Sequence, residues 1–359
     1  MKIIIYPGSF DPVHHGHLLI ARHAKRVMGA DRVLFLLSPS TVWKKVDTAF
    51  SHRQNMLEDA LTEEGFEMSL IEEENEGKTN YTFITLQKLK TLYPLDELFL
   101  LLGEDQAEVF DKWMNPDEIA AKATILVYKR KGSKLPKHNI DRFKMVEIEG
   151  PLSPTSSSLI RNFDSIDVPT SVLEYIGRHK LYFAGRISKY LSDVRYFHSF
   201  EVAKLSRLIA IANDLDDLKA FKAGFLHDIG KEVPELKTKK IMTEEYREYL
   251  DLPLWSHHQF LSEYISRTDF LVFDADVLHA IKNHATGNKK MKSIAKVVYA
   301  ADKIEPTRGF DSSDLIASCI RDYKSGFITV LKANKDYLEK TGKAVDNRLT
   351  NLCFKAYLK

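Results

Sequence analysis

Apolar residues in the first half of the chain fall into short dense runs separated by longer, more polar stretches. Positions 3–6, 33–37, 68–71, 98–102, 124–128 and 145–148 are rich in Ile, Leu, Val and Phe and predict strands. Between several of them, 17–28, 53–61 and 81–92 carry apolar residues at three- and four-residue spacing and predict helices. Strand–helix alternation of this kind calls for an α/β unit, a parallel sheet with helices on both faces. Past about residue 185 the pattern changes. Positions 202–212, 218–225, 259–265, 274–282 and 294–301 all repeat at helical spacing and predict an all-α unit. No Pro/Gly/Ser-rich linker marks the change. Leu181-Tyr182-Phe183-Ala184-Gly185 is the expected junction, giving domains 1–184 and 185–359. Neither an internal repeat nor a low-complexity tract is visible.

A length of 359 residues exceeds what one core usually fills, in keeping with two domains. The apolar fraction of 44% and charged fraction of 28% are those of a soluble globular protein. A net charge of +2 supplies no global attraction to nucleic acid or a membrane surface, so neither is expected as a partner. Local basic runs such as Lys129-Arg130-Lys131 and Lys237 with Lys239-Lys240 read as solvated surface. Two cysteines, Cys319 and Cys353, cannot build a disulfide framework. The opening apolar run is too short for a signal peptide, and no run approaches the roughly 20 residues that span a bilayer. A cytoplasmic protein is the expectation.

Candidate chemistry begins where the first strand ends. Gly8-Ser9-Phe10-Asp11-Pro12-Val13-His14-His15-Gly16-His17 leads into the helix-forming Leu18-Leu19-Ile20-Ala21. A glycine turn between strand and helix presents backbone N–H groups suited to phosphate. His14 and His17, three apart, can face one ligand. Imidazoles and N–H donors around a triphosphate stabilise charge that builds during phosphoryl attack. Later, Ser156-Ser157-Ser158-Leu159-Ile160-Arg161 places hydroxyls at a predicted helix start with one arginine, a natural pyrophosphate clamp.

These two strings resemble the nucleotidylyltransferase superfamily with the His/Thr-x-Gly-His signature, which implies a Rossmann-like sheet. The opening Tyr-Pro-Gly-Ser-Phe-Asp-Pro also resembles phosphopantetheine adenylyltransferase. Three middle stretches look instead like nicotinate-nucleotide adenylyltransferase: Ser51-His52-Arg53-Gln54-Asn55-Met56-Leu57, Asn80-Tyr81-Thr82-Phe83-Ile84-Thr85-Leu86, and Gly103-Glu104-Asp105 followed by Lys112-Trp113. The resemblance implies ATP, carried with Mg²⁺, and nicotinate mononucleotide as substrates. It nominates His14, His17, Lys44 (or Lys45) and Arg161 for catalysis. Gly8, Ser9, Phe10, Asp11, Gly103, Asp105, Ser157 and Ser158 would bind nucleotide, with Thr85 (or Thr82) and Trp113 holding the pyridine ring. The family often has Asp where this chain has Ile84, which leaves the nicotinate–nicotinamide preference open.

The second half carries His198, His227-Asp228, His257-His258, His284 and Asp302 on successive helical segments. Imidazole and carboxylate together suit Fe, Mn, Zn or Co, and a shared carboxylate can bridge two ions. The strings Leu226-His227-Asp228-Ile229-Gly230-Lys231, Asn283-His284-Ala285-Thr286-Gly287 and Tyr299-Ala300-Ala301-Asp302-Lys303-Ile304-Glu305-Pro306-Thr307-Arg308 resemble the HD phosphohydrolase superfamily. Their series looks like the HD-domain symmetrical diadenosine tetraphosphatases, implying an HD helical bundle that hydrolyses a dinucleoside polyphosphate. By that resemblance His198, His227, Asp228, His284 and Asp302 ligate one or two metal ions, iron being the family's. His258 is the sixth ligand, preferred to His257 because it lies six residues before Tyr264. Lys231 and Arg308 would hold substrate phosphates. A different HD nucleotide hydrolase and a non-catalytic nucleotide-binding module stay as alternatives.

Overall fold

A computed structural model of the chain describes residues 1–39, 46–73, 81–130, 137–341 and 347–358. It divides into two compact units, Met1–Phe183 and Ala184–Lys359.

The first unit is built on a six-stranded, wholly parallel sheet of β1 (Lys2–Gly8), β2 (Arg32–Leu37), β3 (Glu67–Ser69), β4 (Glu97–Gly103), β5 (Thr124–Arg130) and β6 (Val146–Gly150). Its spatial order is β3-β2-β1-β4-β5-β6, the Rossmann-like order. Alternate side chains sort to opposite faces. Ile3 and Ile5 of β1 join Leu34, Leu36, Leu98, Leu100 and Val127 in a core sealed by residues of Thr82–Leu92, Pro116–Lys122 and Lys137–Phe143. The opposite set, including Ile4, Phe35, Leu101 and Leu126, is equally buried, and the His15–Met28 helix lies against β2 and β6. Apolar residues on both faces explain why the strands read as continuous runs instead of alternating ones.

The order reverses between β1 and β4, so the loops after Gly8 and after Gly103 part there and leave a crevice. That topology decides where the first site sits. The turn differs in detail from the glycine turn expected: Gly8 is the last residue of β1, and Phe10 takes the left-handed conformation at φ 42°. Gly8 is needed for space, since a Cβ there would stand 2.8 Å from the buried Phe10 ring.

The regular elements of the second unit are all helices, with no strand among its described residues. Asp193–Ala212 packs along Asp217–Leu226, and Ala275–Asn283 and Ser293–Ile304 pack beside them. Phe200, Phe221 and Phe225 fill the seam. Close approach of the first pair requires Gly224, where a Cβ would meet the Ala203 Cα at 2.8 Å. Among the described residues no helix is long and apolar enough to cross a membrane.

Candidate active sites

At the head of β1, His14 caps the His15–Met28 helix from an extended backbone and its ring stacks on His17, centroids 3.7 Å apart. Gly16 permits this, because a Cβ there would fall 2.9 Å from the His14 ring. The backbone N–H of His14 donates to Nδ1 of His17 at 3.3 Å. A neutral His17 therefore carries its proton on Nε2 and can donate it to a ligand. His14 is buried, and burial outweighs nearby Asp167, lowering its pKa to about 4. It is neutral at physiological pH, with Nδ1 buried and unpartnered among the described residues.

The short Ser157–Arg161 helix returns to the same place. Arg161 donates through Nη1 to the Asp11 carbonyl at 2.6 Å and through Nη2 to Ser158 Oγ at 3.1 Å. The hydroxyl of Ser157 donates to the Pro12 carbonyl at 2.9 Å, and Ser156 Oγ caps Leu159 N–H. Asp11 is buried and accepts the Tyr182 hydroxyl at 2.7 Å. His14, His17, Asp11, Ser157, Ser158 and Arg161 thus form one cluster although about 145 residues separate its halves. Across the crevice a cleft of about 510 Å³ is lined by Tyr6, Gly103 and Asp105 among others.

The pyridine-ring candidates are placed less openly. Thr85 is buried and donates to Glu72 Oε1 at 2.7 Å, while Trp113 packs beside Phe110 with Nε1 buried and unpartnered among the described residues. Ile84 is 42% exposed. Lys44, with Lys45, lies outside the described residues. Sequence reasoning missed two organisers. Arg53, 1% exposed, donates to the carbonyls of Ser9 (2.7 Å), Ser38 (2.8 Å) and Pro39 (2.9 Å), tying the loops after β1 and β2 together. Glu72 accepts from both Thr85 and Ser38, and burial raises its pKa. Nothing in their local strings marks either as interior; only the fold shows it.

The second site gathers side chains from five helices and their ends. His198 lies within Asp193–Ala212, His227 ends Asp217–Leu226, His258 opens His258–Thr268, His284 ends Ala275–Asn283, and Asp302 belongs to Ser293–Ile304. Asp228 Oδ1 stands 3.2 Å from His258 Nε2 and 3.3 Å from His284 Nε2; Asp302 Oδ1 stands 3.2 Å from His198 Nε2 and 3.5 Å from His227 Nε2. His257 is turned away, its Nε2 donating to the Leu252 carbonyl at 2.9 Å.

Each imidazole is fixed from behind. Nδ1 of His227, His258 and His284 donates to the carbonyls of Gly224 (2.7 Å), Trp255 (2.7 Å) and Ile281 (2.8 Å). Nδ1 of His198 pairs with the Glu305 carboxylate at 3.0 Å. A carbonyl can only accept, so these Nδ1 atoms carry the proton and Nε2 offers a lone pair toward the centre. Nε2 of His227 is buried without a hydrogen bond among the described residues, a cost that a bound cation removes. Three overlapping ligand groups result: His198–His227–Asp228, His227–His284–Asp302 and Asp228–His258–His284. The donor set fits divalent transition-metal ions.

Electrostatics agree with that fit. Burial pushes the His284 pKa down to about 3, leaving it neutral as a ligand must be. Burial would raise Asp228, but the adjoining histidines hold it well below the usual carboxylate range. Asp302 is kept low in the same way, by Lys303 and the histidines. His198 is the exception: burial opposes its charge, yet Asp302 and Glu305 outweigh it and raise its pKa to about 9, so this imidazole must give up its Nε2 proton to ligate an ion. Over the cluster lies a cavity of about 660 Å³ with Lys231, Arg195, Lys303 and Arg308 on its wall. Lys231 Nζ is 3.8 Å from Asp228 and Arg308 Nη2 is 2.5 Å from Asp302. Sequence reasoning gave no role to Arg195, Lys303 or Glu305.

Comparisons with known proteins match a different family model to each unit. Residues 5–163 match the model described as cytidylyltransferase-like, and residues 195–307 match that of the HD domain. A Mycoplasma genitalium protein named a probable nicotinate-nucleotide adenylyltransferase/Ap4A hydrolase is 30% identical over 341 residues, 92% of this chain and 97% of that one. A Borrelia hermsii protein named a probable nicotinate-nucleotide adenylyltransferase is 32% identical over 204 residues, 52% of this chain and all 100% of its own. The crystal structure of a predicted HD superfamily hydrolase involved in NAD metabolism, from Clostridium acetobutylicum, matches 48% of this chain and 96% of its own, with 25% identity and a TM-score of 0.43.

Proposed function

Since the chain belongs to the family of fused nicotinate-nucleotide adenylyltransferase/Ap4A hydrolase proteins, we propose that its first unit adenylylates nicotinate mononucleotide and its second cuts diadenosine tetraphosphate into two ADP. In the first reaction a phosphate oxygen of the mononucleotide bonds to the α-phosphorus of ATP, and the bond to the bridging oxygen breaks, releasing pyrophosphate. No protein nucleophile is needed. His17 donates from Nε2 to a phosphate oxygen, and His14, neutral and packed against it, fixes that ring. Arg161 neutralises charge on the departing pyrophosphate from a position set by the Asp11 carbonyl. Mg²⁺ arrives with the ATP.

In the second reaction water adds across the central phosphoanhydride, its oxygen bonding to one inner phosphorus while the bridging oxygen leaves with the other ADP. His198, His227, Asp228, His258, His284 and Asp302 would hold one or two ions, iron by family resemblance and Mn, Zn or Co by donor chemistry. Such an ion polarises a phosphate oxygen and lowers the pKa of water. Lys231 and Arg308, joined by Arg195 and Lys303, hold the polyphosphate against the cluster. The observation that carries this reading is the set of four imidazoles tied at Nδ1 and aimed by Nε2 at two carboxylates beneath a cationic wall.

The test is product analysis by chromatography. With ATP, Mg²⁺ and nicotinate mononucleotide the protein makes nicotinate adenine dinucleotide; with diadenosine tetraphosphate and Fe²⁺ or Mn²⁺ it makes ADP alone. ATP plus AMP from the second substrate would refute symmetric cleavage, and an inert first mixture would refute the nicotinate assignment.

A further inference from the structure

Trp255 stands on the wall of the 660 Å³ cavity and is 57% exposed. It is the one indole or phenyl ring among the described residues of that wall. The fold gains little from an indole left in water, because stabilisation follows the apolar area removed from solvent. Trp113, by contrast, is packed against the first unit's core.

The segment that carries the exposed ring is nevertheless held firmly. The Ser256 N–H and hydroxyl both donate to the Pro253 carbonyl, at 2.9 and 2.7 Å, and the His257 N–H donates to the Leu254 carbonyl at 3.1 Å. His257 braces the other side through its ring bond to the Leu252 carbonyl. The carbonyl of Trp255 itself accepts Nδ1–H of His258, so one short turn presents the indole and orients a candidate metal ligand. The backbone that carries the ring is thus fixed in register with the candidate ligand His258.

The rest of the wall explains only part of a substrate. Arg195, Lys231, Lys303 and Arg308 suit a polyphosphate chain, yet guanidinium and ammonium groups directed at phosphates leave the nucleoside ends unheld. A purine offers a flat π-face, and stacking on an aromatic side chain is the general means of holding one. Resting on the reading of this site as a dinucleoside polyphosphate hydrolase, we infer that Trp255 is the platform on which a substrate nucleobase stacks. The site accordingly selects nucleoside polyphosphates over inorganic polyphosphate.

The test uses the full chain loaded with Mn²⁺. Trp255→Ala should raise KM for diadenosine tetraphosphate by about 5- to 100-fold, with kcat within a factor of about three, and Trp255→Phe should restore most of the loss. An unchanged KM in Trp255→Ala, at equal metal content and melting temperature, overturns the inference while leaving the hydrolase reading intact. A second measurement stands independently of turnover: ADP is titrated with Mn²⁺ while tryptophan emission is followed. Wild type should show a quench that Trp255→Phe lacks, and equal quenching in both overturns the platform. If wild type quenches in this way but cleaves no diadenosine tetraphosphate, the hydrolase reading fails and the platform stands.

Discussion

Two histidines in the first unit illustrate how environment assigns roles to identical side chains. His14 is buried with its pKa lowered from 6.5 to about 4. The unfolded chain therefore binds a proton on this residue at a pH where the folded chain refuses it. Its contribution to stability is full above about pH 6.5 and is lost as pH falls toward 4, about 3 kcal/mol in all. Urea denaturation across that window should show the slope, and His14→Asn should flatten it; an unaltered slope contradicts the assignment. In the proposed reaction His17 is the donor, so His17→Ala should lower kcat of adenylyl transfer about 10²- to 10³-fold with the melting temperature nearly unchanged. A loss under tenfold would remove His17 from the reacting centre. The motif strings were legible because their spacing is local. The bracing roles of Glu72, and of Arg53 and Glu305 within quoted strings, were not, because a partner such as His198 lies 107 residues from Glu305 and no short string encodes that meeting.

Secondary-structure elements set how tightly the second site is drawn together. The His227-Asp228 turn presses on the His258–Thr268 helix at Gly230, where a Cβ would meet Ser262 N at 2.6 Å and Leu261 Cβ at 2.7 Å. The Gly230 N–H also donates to Ser262 Oγ at 2.9 Å. Gly230→Ala should push Asp228 and His258 apart, costing roughly 1–3 kcal/mol of stability. Metal content read by atomic emission should fall with it, and a variant with full metal content would show that the contact does not set the ligand geometry. β1, β2, β4 and β5 were readable from sequence because both their faces are buried, so each is a dense run. Glu235–Glu245, Ser313–Arg321 and Tyr323–Lys340 were not named: the first buries only Ile241 and Met242, the second only Cys319, and the third Gly326, Phe327, Val330 and Leu331. So thin an apolar stripe is hard to see among polar neighbours.

At the scale of the molecule, each compact unit has its own core and its own cluster of reactive side chains. Metal bound only by the folded second unit stabilises that unit by linkage. Chelation should lower one calorimetric transition and leave the first unit's transition in place; a single transition that moves as a whole would contradict independent stability. The change from strand–helix alternation to unbroken helical spacing made this organisation visible in the sequence. The left-handed Phe10 was not foreseen, since φ there is set by the packing of its ring under Gly8 and against His17.

The central claim is that one chain holds two separate enzymes. It is tested most directly by assaying both reactions in wild type, His17→Ala and Asp228→Asn, with nicotinate mononucleotide, ATP and Mg²⁺ in one tube and diadenosine tetraphosphate with Mn²⁺ in another. The prediction is a crosswise loss: His17→Ala stops forming nicotinate adenine dinucleotide and still releases ADP, while Asp228→Asn does the reverse. Loss of both products in either variant, with the fold intact, or of neither in both, would contradict it.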